Sequence, residues 1–383
     1  ESLFGLLSDG VNAGWPEGRM EWLHSLISDG IIGGVGGVLV FLPNIVLLFL
    51  GISILEDTGY MSRAAFIMDR VMHRFGLHGK SFIPMLIGFG CTVPAIMATR
   101  ALPSRRDRIV TMLILPFVSC GARLPIYLLL IPAFFPRAWH TPVLFGIYIL
   151  GMVLGLLIAR ILSNSMLAGE ATPFVMELPP YRRPTARSVG IHMWQRSWMY
   201  LRKAGTIILV ISVLLWGLMS FPRPDEFVVD RRVAAGELSL SEAELAAARA
   251  GETLEHSLAG RIGRAIQPVM APLGFDWRIN TAFLGAFAAK EVFVAQMGIV
   301  FSLGEVDESS ESLRDTLTRH YSPLQGLSIL IFSLLASPCM VTFAITRKES
   351  GRWGYAILQW VGLTSLAYLL SMLVYQVGSL LGA

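Results

Sequence analysis

Gly88-Phe89-Gly90-Cys91-Thr92-Val93-Pro94-Ala95-Ile96-Met97 lies in the middle of an apolar segment, 81–99, that makes a poor membrane helix. Two glycines and a proline flank a cysteine within seven residues. Proline removes a backbone donor and clashes with the preceding turn, so a helix breaks here. At membrane depth a break leaves peptide groups unpaired, which is tolerated only inside protein or beside a water-filled cavity. Transporters build ion sites at such broken helices. The stretch therefore predicts a membrane transporter whose substrate passes Cys91.

The remaining composition agrees with lipid as the main solvent. Of the 383 residues, 54% are hydrophobic and only 15% charged, against about 25% charged in soluble domains. Mean hydropathy is +0.60. The net charge of +4 is small, and basic residues cluster between apolar runs, a pattern of membrane orientation and not of nucleic-acid binding. Three cysteines, all within apolar segments, argue against a disulfide framework.

Along the chain, residues 1–30 read as an extracytoplasmic interfacial segment, and 31–55 as a first span carrying Gly33-Gly34-Val35-Gly36-Gly37, a surface suited to close helix packing or self-association. An amphipathic interface helix is expected at 62–75, then the broken segment. Arg100, Arg105, Arg106 and Arg108 mark the cytoplasm. A span at 109–135 is interrupted at Ser119-Cys120-Gly121-Ala122-Arg123-Leu124-Pro125, and 141–162 spans again. A polar cytoplasmic linker, 164–203, precedes a span at 204–221. An interface helix follows at 258–273, then an apolar segment, 279–301, with Lys290-Glu291 at its centre. A span at 324–345 holds Ser337-Pro338-Cys339, and 354–377 is the last. The segments 222–257 and 302–322 are acidic insertions, the first with a soluble helix at SEAELAAARA.

The two halves repeat. Gly76-Leu77 and Gly274-Phe275 each close an amphipathic helix. Cys120 follows Cys91 by 29 residues, and Cys339 follows Ala289 by the same distance once the 21-residue loop 302–322 is set aside. Loop charge sets the orientation. If both broken segments crossed fully, the Arg347-Lys348-Arg352 loop would fall outside and the acidic loop inside, against the positive-inside trend. Re-entrant hairpins restore it. The expectation is an all-α polytopic membrane protein with two inverted-topology repeats, 31–163 and 204–378. Each has an interfacial helix, a re-entrant hairpin and interrupted transmembrane helices. Residues 1–30 then lie outside, and with Glu1-Ser2-Leu3 in place of an initiating Met the chain reads as part of a longer protein with a further span before Glu1.

Thiolates bind borderline and soft divalent metals, and carboxylate or backbone oxygen completes such sites. Cys91, Cys120 and Cys339 all fall at Gly/Pro-interrupted points, and inversion of the halves would let them converge near the midplane. Each alone is ordinarily a buried small hydrophobe; the shared placement favours metal contact. Lys290-Glu291 is costly in lipid. It reads either as a self-neutralised pair in water or as a cation ligand, Glu291, beside a repelling Lys290. Arg123 is expected as an internal salt-bridge partner or part of a gate. Gly90, Thr92 and Pro94 shape the first break, and Met97 and Met340 lie near the breaks. Glu56 and Asp57 are either a hydrated helix end or exit ligands. Leu77-His78-Gly79-Lys80-Ser81 ends like a phosphate-binding loop, but Arg74 occupies the first glycine position and no strand precedes it.

LEDTGYMSRAAFIMDR (55–70), GKSFIPMLIGFGCTVPAIMATR (79–100), RRDR (105–108), SCGARLPIY (119–127), FAAKEV (287–292) and SPC (337–339) resemble the membrane domain of the FeoB family. These are bacterial ferrous iron transporters, and the resemblance covers essentially the whole chain. It implies paired Gate motifs, shared more loosely with nucleoside transporters, and a multi-pass protein of the bacterial inner membrane importing Fe²⁺. It matches Cys91, Cys120 and Cys339 to iron-path cysteines, with Glu291 in the second Gate; Thr92 stands where the family usually has Asn. It also implies an N-terminal GTPase domain using GTP and Mg²⁺, which this chain lacks, and small cytoplasmic accessory proteins. Competing expectations are a Gate-type carrier for nucleosides or other divalent metals, and a membrane scaffold that only docks a soluble partner.

Overall fold

The computed structural model describes residues 42–165 and 180–382, apart from 182, 225, 238, 239, 305 and 337, together with parts of 23–36. The glycine-rich stretch 33–37, apart from Gly36, and most of 1–30 lie outside the described residues. Among the described residues all regular structure is helical. Five helical stretches among the described residues are long and apolar enough to cross a membrane: Arg105–Phe134, Arg137–Asn164, Ala186–Ser220, Pro323–Ser350 and Trp353–Leu380. A sixth arises if α1 (Leu42–Asp57) and α2 (Tyr60–Arg74), bent by 82° at Thr58-Gly59, count together. Gly59 takes φ 77°, which a side chain rarely tolerates.

The chain divides into two compact units. The first comprises Glu1–Gly121, Tyr148–Val213 and Met340–Trp360; the second comprises Ala122–Ile147, Leu214–Cys339 and Val361–Ala383.

In the first unit, α2 presents Met61, Ala65 and Met72 inward and leaves Phe66 and Ile67 exposed, as an interface helix would. The short helices α3 (Phe82–Gly88) and α4 (Thr92–Ala98) fold back on one another. Each has only seven residues, about 10 Å at 1.5 Å per residue, so neither can cross the hydrocarbon. Ser104 caps α5 (Arg105–Ile114) by accepting from the Asp107 N–H at 3.0 Å, with Asp107 in the first turn. The Gly79-Lys80-Ser81 sequence makes a 3₁₀ turn in which Gly79 N–H donates to Asp69 Oδ1 at 2.9 Å. A Cβ on Gly79 would strike Asp69 and the Ala65 carbonyl, so the glycine serves close packing on α2.

One element differs from expectation. The span at 204–221 is the end of a single 35-residue helix, α8 (Ala186–Ser220). The polar stretch before it is helical too, because no proline lies between Ala186 and Ser220 to stop it.

In the second unit, α6 (Leu124–Phe134) opens the part of the chain that runs into α7 (His140–Asn164). The first insertion forms α9 (Val228–Ala234) and α10 (Glu242–His256), the helix expected at SEAELAAARA. Ser241 and Glu244 close a capping box at its start. An amphipathic helix, α11 (Leu258–Met270), leads to α12 (Trp277–Ala288) and α13 (Val292–Val300), which pack side by side. Then come α14 (Glu311–His320), α15 (Pro323–Leu335), α16 (Met340–Ser350, in the first unit) and α17 (Trp353–Leu380).

Local geometry repeats between the halves. Gly76 N–H donates to His73 O and Leu77 N–H to Met72 O; Gly274 N–H donates to Ala271 O and Phe275 N–H to Met270 O. Both glycines are left-handed, at φ 73° and 81°, and the pattern is a Schellman-type helix stop. The two hairpin breaks also match: Cys91 has φ −152°, ψ 130°, and Ala289 has φ −149°, ψ 131°. In each half the most apolar window of an interrupted stretch is mostly buried (67% within Arg105–Phe134, 76% within Pro323–Ser350), and that of the stretch after it is only 22% buried.

Candidate functional site

The candidate residues lie at four breaks in helices. In the first unit, α3 ends at Gly88 and the chain turns through Phe89-Gly90 to an extended Cys91, from which α4 starts. Gly90 packs beneath Leu48 of α1. Thr92 and Pro94 are buried on α4, while Met97 is half-buried. The second break separates the 3₁₀ turn Leu115–Phe117 from Gly121–Arg123 and holds Cys120. Gly121 N–H donates to Gly90 O at 3.1 Å, so the residues flanking Cys91 and Cys120 share a peptide hydrogen bond. Both thiols are half-buried and neither is disulfide-bonded.

The hairpin is held at its base by an ion cluster. Glu349, at the end of α16, accepts from Arg100 Nε at 2.7 Å and from Arg108 Nη2 at 2.8 Å, and its side chain is 3% exposed. Arg100 Nη2 closes a second contact to the same carboxylate, and this pairing raises the Arg100 pKa above its ordinary value. Arg100 follows α4, which packs against α16. Nearby, buried Gln359 accepts from Thr346 Oγ1 at 2.9 Å and donates to Met112 O at 2.7 Å, tying α17 to α16 and α5. Glu56 forms an ion pair with Arg196 at 2.7 Å and is mostly exposed; Asp57 is the last residue of α1.

In the second unit, Lys290 and Glu291 form the turn between α12 and α13. Lys290 is 4% exposed and Glu291 half-buried. The turn closes through Val292 N–H to Ala289 O at 3.1 Å and Phe293 N–H to Lys290 O at 3.2 Å. A cluster of Phe275, Phe283, Phe293 and Phe332, with ring centroids 4.8–5.8 Å apart, fixes the hairpin against α15. Gln296 of α13 lies against Gly285 of α12, and its buried Oε1 has no hydrogen-bond partner. The fourth break lies between α15 and α16 and holds Pro338 and half-buried Cys339; Met340 opens α16. Arg123, 2% exposed, donates from Nη2 to Ala336 O at 3.3 Å, joining the residue after the second break to the start of the fourth. Among the described residues, no three His, Cys, Asp or Glu side chains gather closely enough to hold a metal ion.

Sequence reasoning places all three cysteines and Lys290-Glu291 at breaks, as the structure has them. It misses Glu349, Gln359 and Gln296. For the two glutamines the available signal was polarity inside an apolar run. Glu349 looks like an ordinary loop residue among Arg347, Lys348 and Arg352.

Residues 38–134 and 201–353 match the family model described as "Nucleoside recognition" (Gate), and 144–196 match "Ferrous iron transport protein B C terminus". The chain is 46% identical over 401 residues to the "Fe(2+) transport protein A/Fe(2+) transporter FeoB fusion protein" of Porphyromonas gingivalis, covering 99% of this chain and 47% of that protein. It is 42% identical to the Fe(2+) transporter FeoB of Campylobacter jejuni, covering 94% of this chain and 56% of that protein. For FeoB of Helicobacter pylori the identity is 40%, covering 100% and 61%. The chain thus spans about half to three fifths of the length of these curated relatives. No solved structure matches it. With the Gate model matching most of its length and FeoB transporters matching from end to end, the chain belongs to the Gate family and is a FeoB homologue.

Proposed function

We propose that this chain is the membrane permease of a bacterial inner-membrane ferrous iron importer, and that Fe²⁺ moves through it along a path lined by Cys91, Cys120, Cys339 and Glu291. The observation that carries the reading is the Gly121–Gly90 hydrogen bond, which ties the Cys91 break to the Cys120 break. Thiolates and a carboxylate suit a borderline divalent ion. Both hairpins are read as re-entrant, from opposite faces, within two inverted repeats. The seven-residue arms of the first and the loop charges support this. Lys290 beside Glu291 would hold the second hairpin closed when no cation is present, and Arg123 would anchor the break before Cys339. Gly90, Thr92 and Pro94 shape the first break, while Met97 and Met340 are secondary lining. Glu56 already serves Arg196, and with Asp57 is assigned to the helix end.

The GTPase domain with its GTP and Mg²⁺, and small accessory proteins, belong to the whole transporter in this proposal. The fusion of transport protein A with FeoB in one relative supports the accessory partner.

The test is Fe²⁺ uptake by the full-length transporter in proteoliposomes with Cys91→Ser, Cys120→Ser and Cys339→Ser, singly and together. Uptake should fall at least tenfold in the triple variant. Unchanged uptake would end the cysteine-path reading. Because the matched family model is described as nucleoside recognition, nucleosides are included as competitors; nucleoside flux with no iron flux would favour a nucleoside carrier.

A further inference from the structure

An open groove of about 820 Å³ lies within the first unit, between α8 and α16. One wall is a single ridge of α8, Trp194, Trp198 and Arg202, spaced four residues apart so that they stack along one face. The two indoles are stacked, with centroids 6.2 Å apart, and both are more than half exposed. The other wall is Ala344, Ile345 and Lys348 of α16. A neighbouring position of α8, Arg196, is engaged with Glu56 of α1. Among the described residues, the groove lining carries two cations, Arg202 and Lys348, and no carboxylate. Neither cation has an ion-pair partner among the described residues, and the nearest acid in sequence, Glu349, is committed to Arg100 and Arg108.

We propose that this groove binds an anionic phospholipid of the surrounding bilayer. The headgroup phosphate would sit between Arg202 and Lys348, with the indoles of Trp194 and Trp198 beside the headgroup, and the acyl chains would run past Thr206 and Ile207 toward the apolar half of α8. Three features select this occupant. Paired tryptophans are the side chains that sit at headgroup depth. Basic pockets between membrane helices on the arginine-rich side are suited to anionic headgroups. An amphiphile also matches a groove apolar along its length and cationic at the ends of two long side chains, whereas a free anion would leave the indoles wet. No described residue in the most apolar window of α8 is fully buried by the rest of the chain, so lipid adjoins the helix beside the groove. The inference rests on the membrane placement of α8 and not on the identity of the transported ion.

The test uses full-length transporter reconstituted without iron in phosphatidylcholine vesicles containing dibrominated phosphatidylglycerol or, separately, dibrominated phosphatidylcholine. Bromine quenches tryptophan on contact. Wild-type quenching should favour phosphatidylglycerol about 30-fold over phosphatidylcholine in apparent affinity, with about fivefold lost in Arg202→Gln or Lys348→Gln and parity reached in the double variant. Trp194→Phe/Trp198→Phe should remove most of the lipid-selective signal, locating it in the groove. Inorganic phosphate should not displace the lipid. Equal quenching by the two wild-type vesicle types would overturn the proposal, and this comparison needs no variant to fold. Displacement by inorganic phosphate would also overturn it in favour of a simple anion site. Silence to both lipids in a particle of twice the full-length protein's mass would do so in favour of a second copy.

Discussion

The peptide N–H of Gly121 donates to the carbonyl of Gly90 at 3.1 Å, and each glycine adjoins a cysteine, Cys120 and Cys91. Two breaks 29 residues apart in sequence are thereby one backbone unit. A Cβ on Gly121 would meet the Gly90 oxygen at 3.4 Å, an ordinary contact. Gly121→Ala should therefore keep uptake within about twofold of wild type. Gly121→Pro removes the donor, a loss of about 1 kcal/mol in the bond alone, and constrains Cys120 as well. Its Fe²⁺ uptake should drop at least tenfold with the protein still eluting as wild type on size exclusion.

Arg123 reaches the carbonyl of Ala336, the residue that ends α15, from a buried position. A cation there complements the helix C-terminus. Arg123→Ala should cost about 2–3 kcal/mol from the lost charge-assisted bond and the space left behind. Arg123→Lys should recover part of this, since an ammonium can meet one carbonyl but lacks the planar fork. Thermal unfolding followed by fluorescence-detected size exclusion separates the three proteins, and equal midpoints would refute the anchoring role.

Glu349 holds two arginines at once. Arg100 is half exposed and Arg108 about a third, so water recovers some of the loss when the carboxylate is removed. Glu349→Ala should destabilise by roughly 1–3 kcal/mol, below the range for a fully buried pair. Arg100→Ala should cost less than Arg108→Ala, because the more exposed partner is the more screened. A double-mutant cycle between Glu349 and Arg108 measures the coupling directly.

His78 offers a pH test outside the spans. It is 7% exposed, and Nδ1 accepts from Lys80 N–H at 3.1 Å. Burial pushes its pKa below 6.5, with Lys80 and His73 adding to the shift and Asp107 and Asp69 opposing it. A histidine depressed in the fold binds its proton more readily when unfolded. Its contribution is therefore fully present above pH 6.5 and is lost as pH falls from there through the folded value. Wild type should lose thermal stability over that window. His78→Asn, which retains a capping acceptor, should flatten the slope.

Much of the fold was legible because its signals are local. Gly76 and Gly274 announce helix stops that only a residue free to take positive φ can make, and Pro94 and Pro338 announce breaks. The expectation of a repeat rests on counting between such marks. What escaped is non-local. Glu56 meets Arg196 from 140 residues away, and Arg100 meets Glu349 from 249. Nothing in either neighbourhood names the partner. The continuity of α8 was missed for a different reason: polar and apolar halves differ in composition while the backbone hydrogen bonding runs through both.

The seven-residue helices α3 and α4 carry a consequence for how the first hairpin exchanges its amide hydrogens. Helices this short do not persist alone in solution. Their protection must come from the elements packed around them, since Thr92 to Ile96 are all buried. Amide exchange at these positions thus reports the docking of the hairpin and is blind to helix propensity. A motion that undocks the arms should release all their amides together, at a free energy below that of global unfolding. Deuterium uptake at Val93, Ala95 and Ile96, compared with and without Fe²⁺, would read undocking of the hairpin as a single cooperative step.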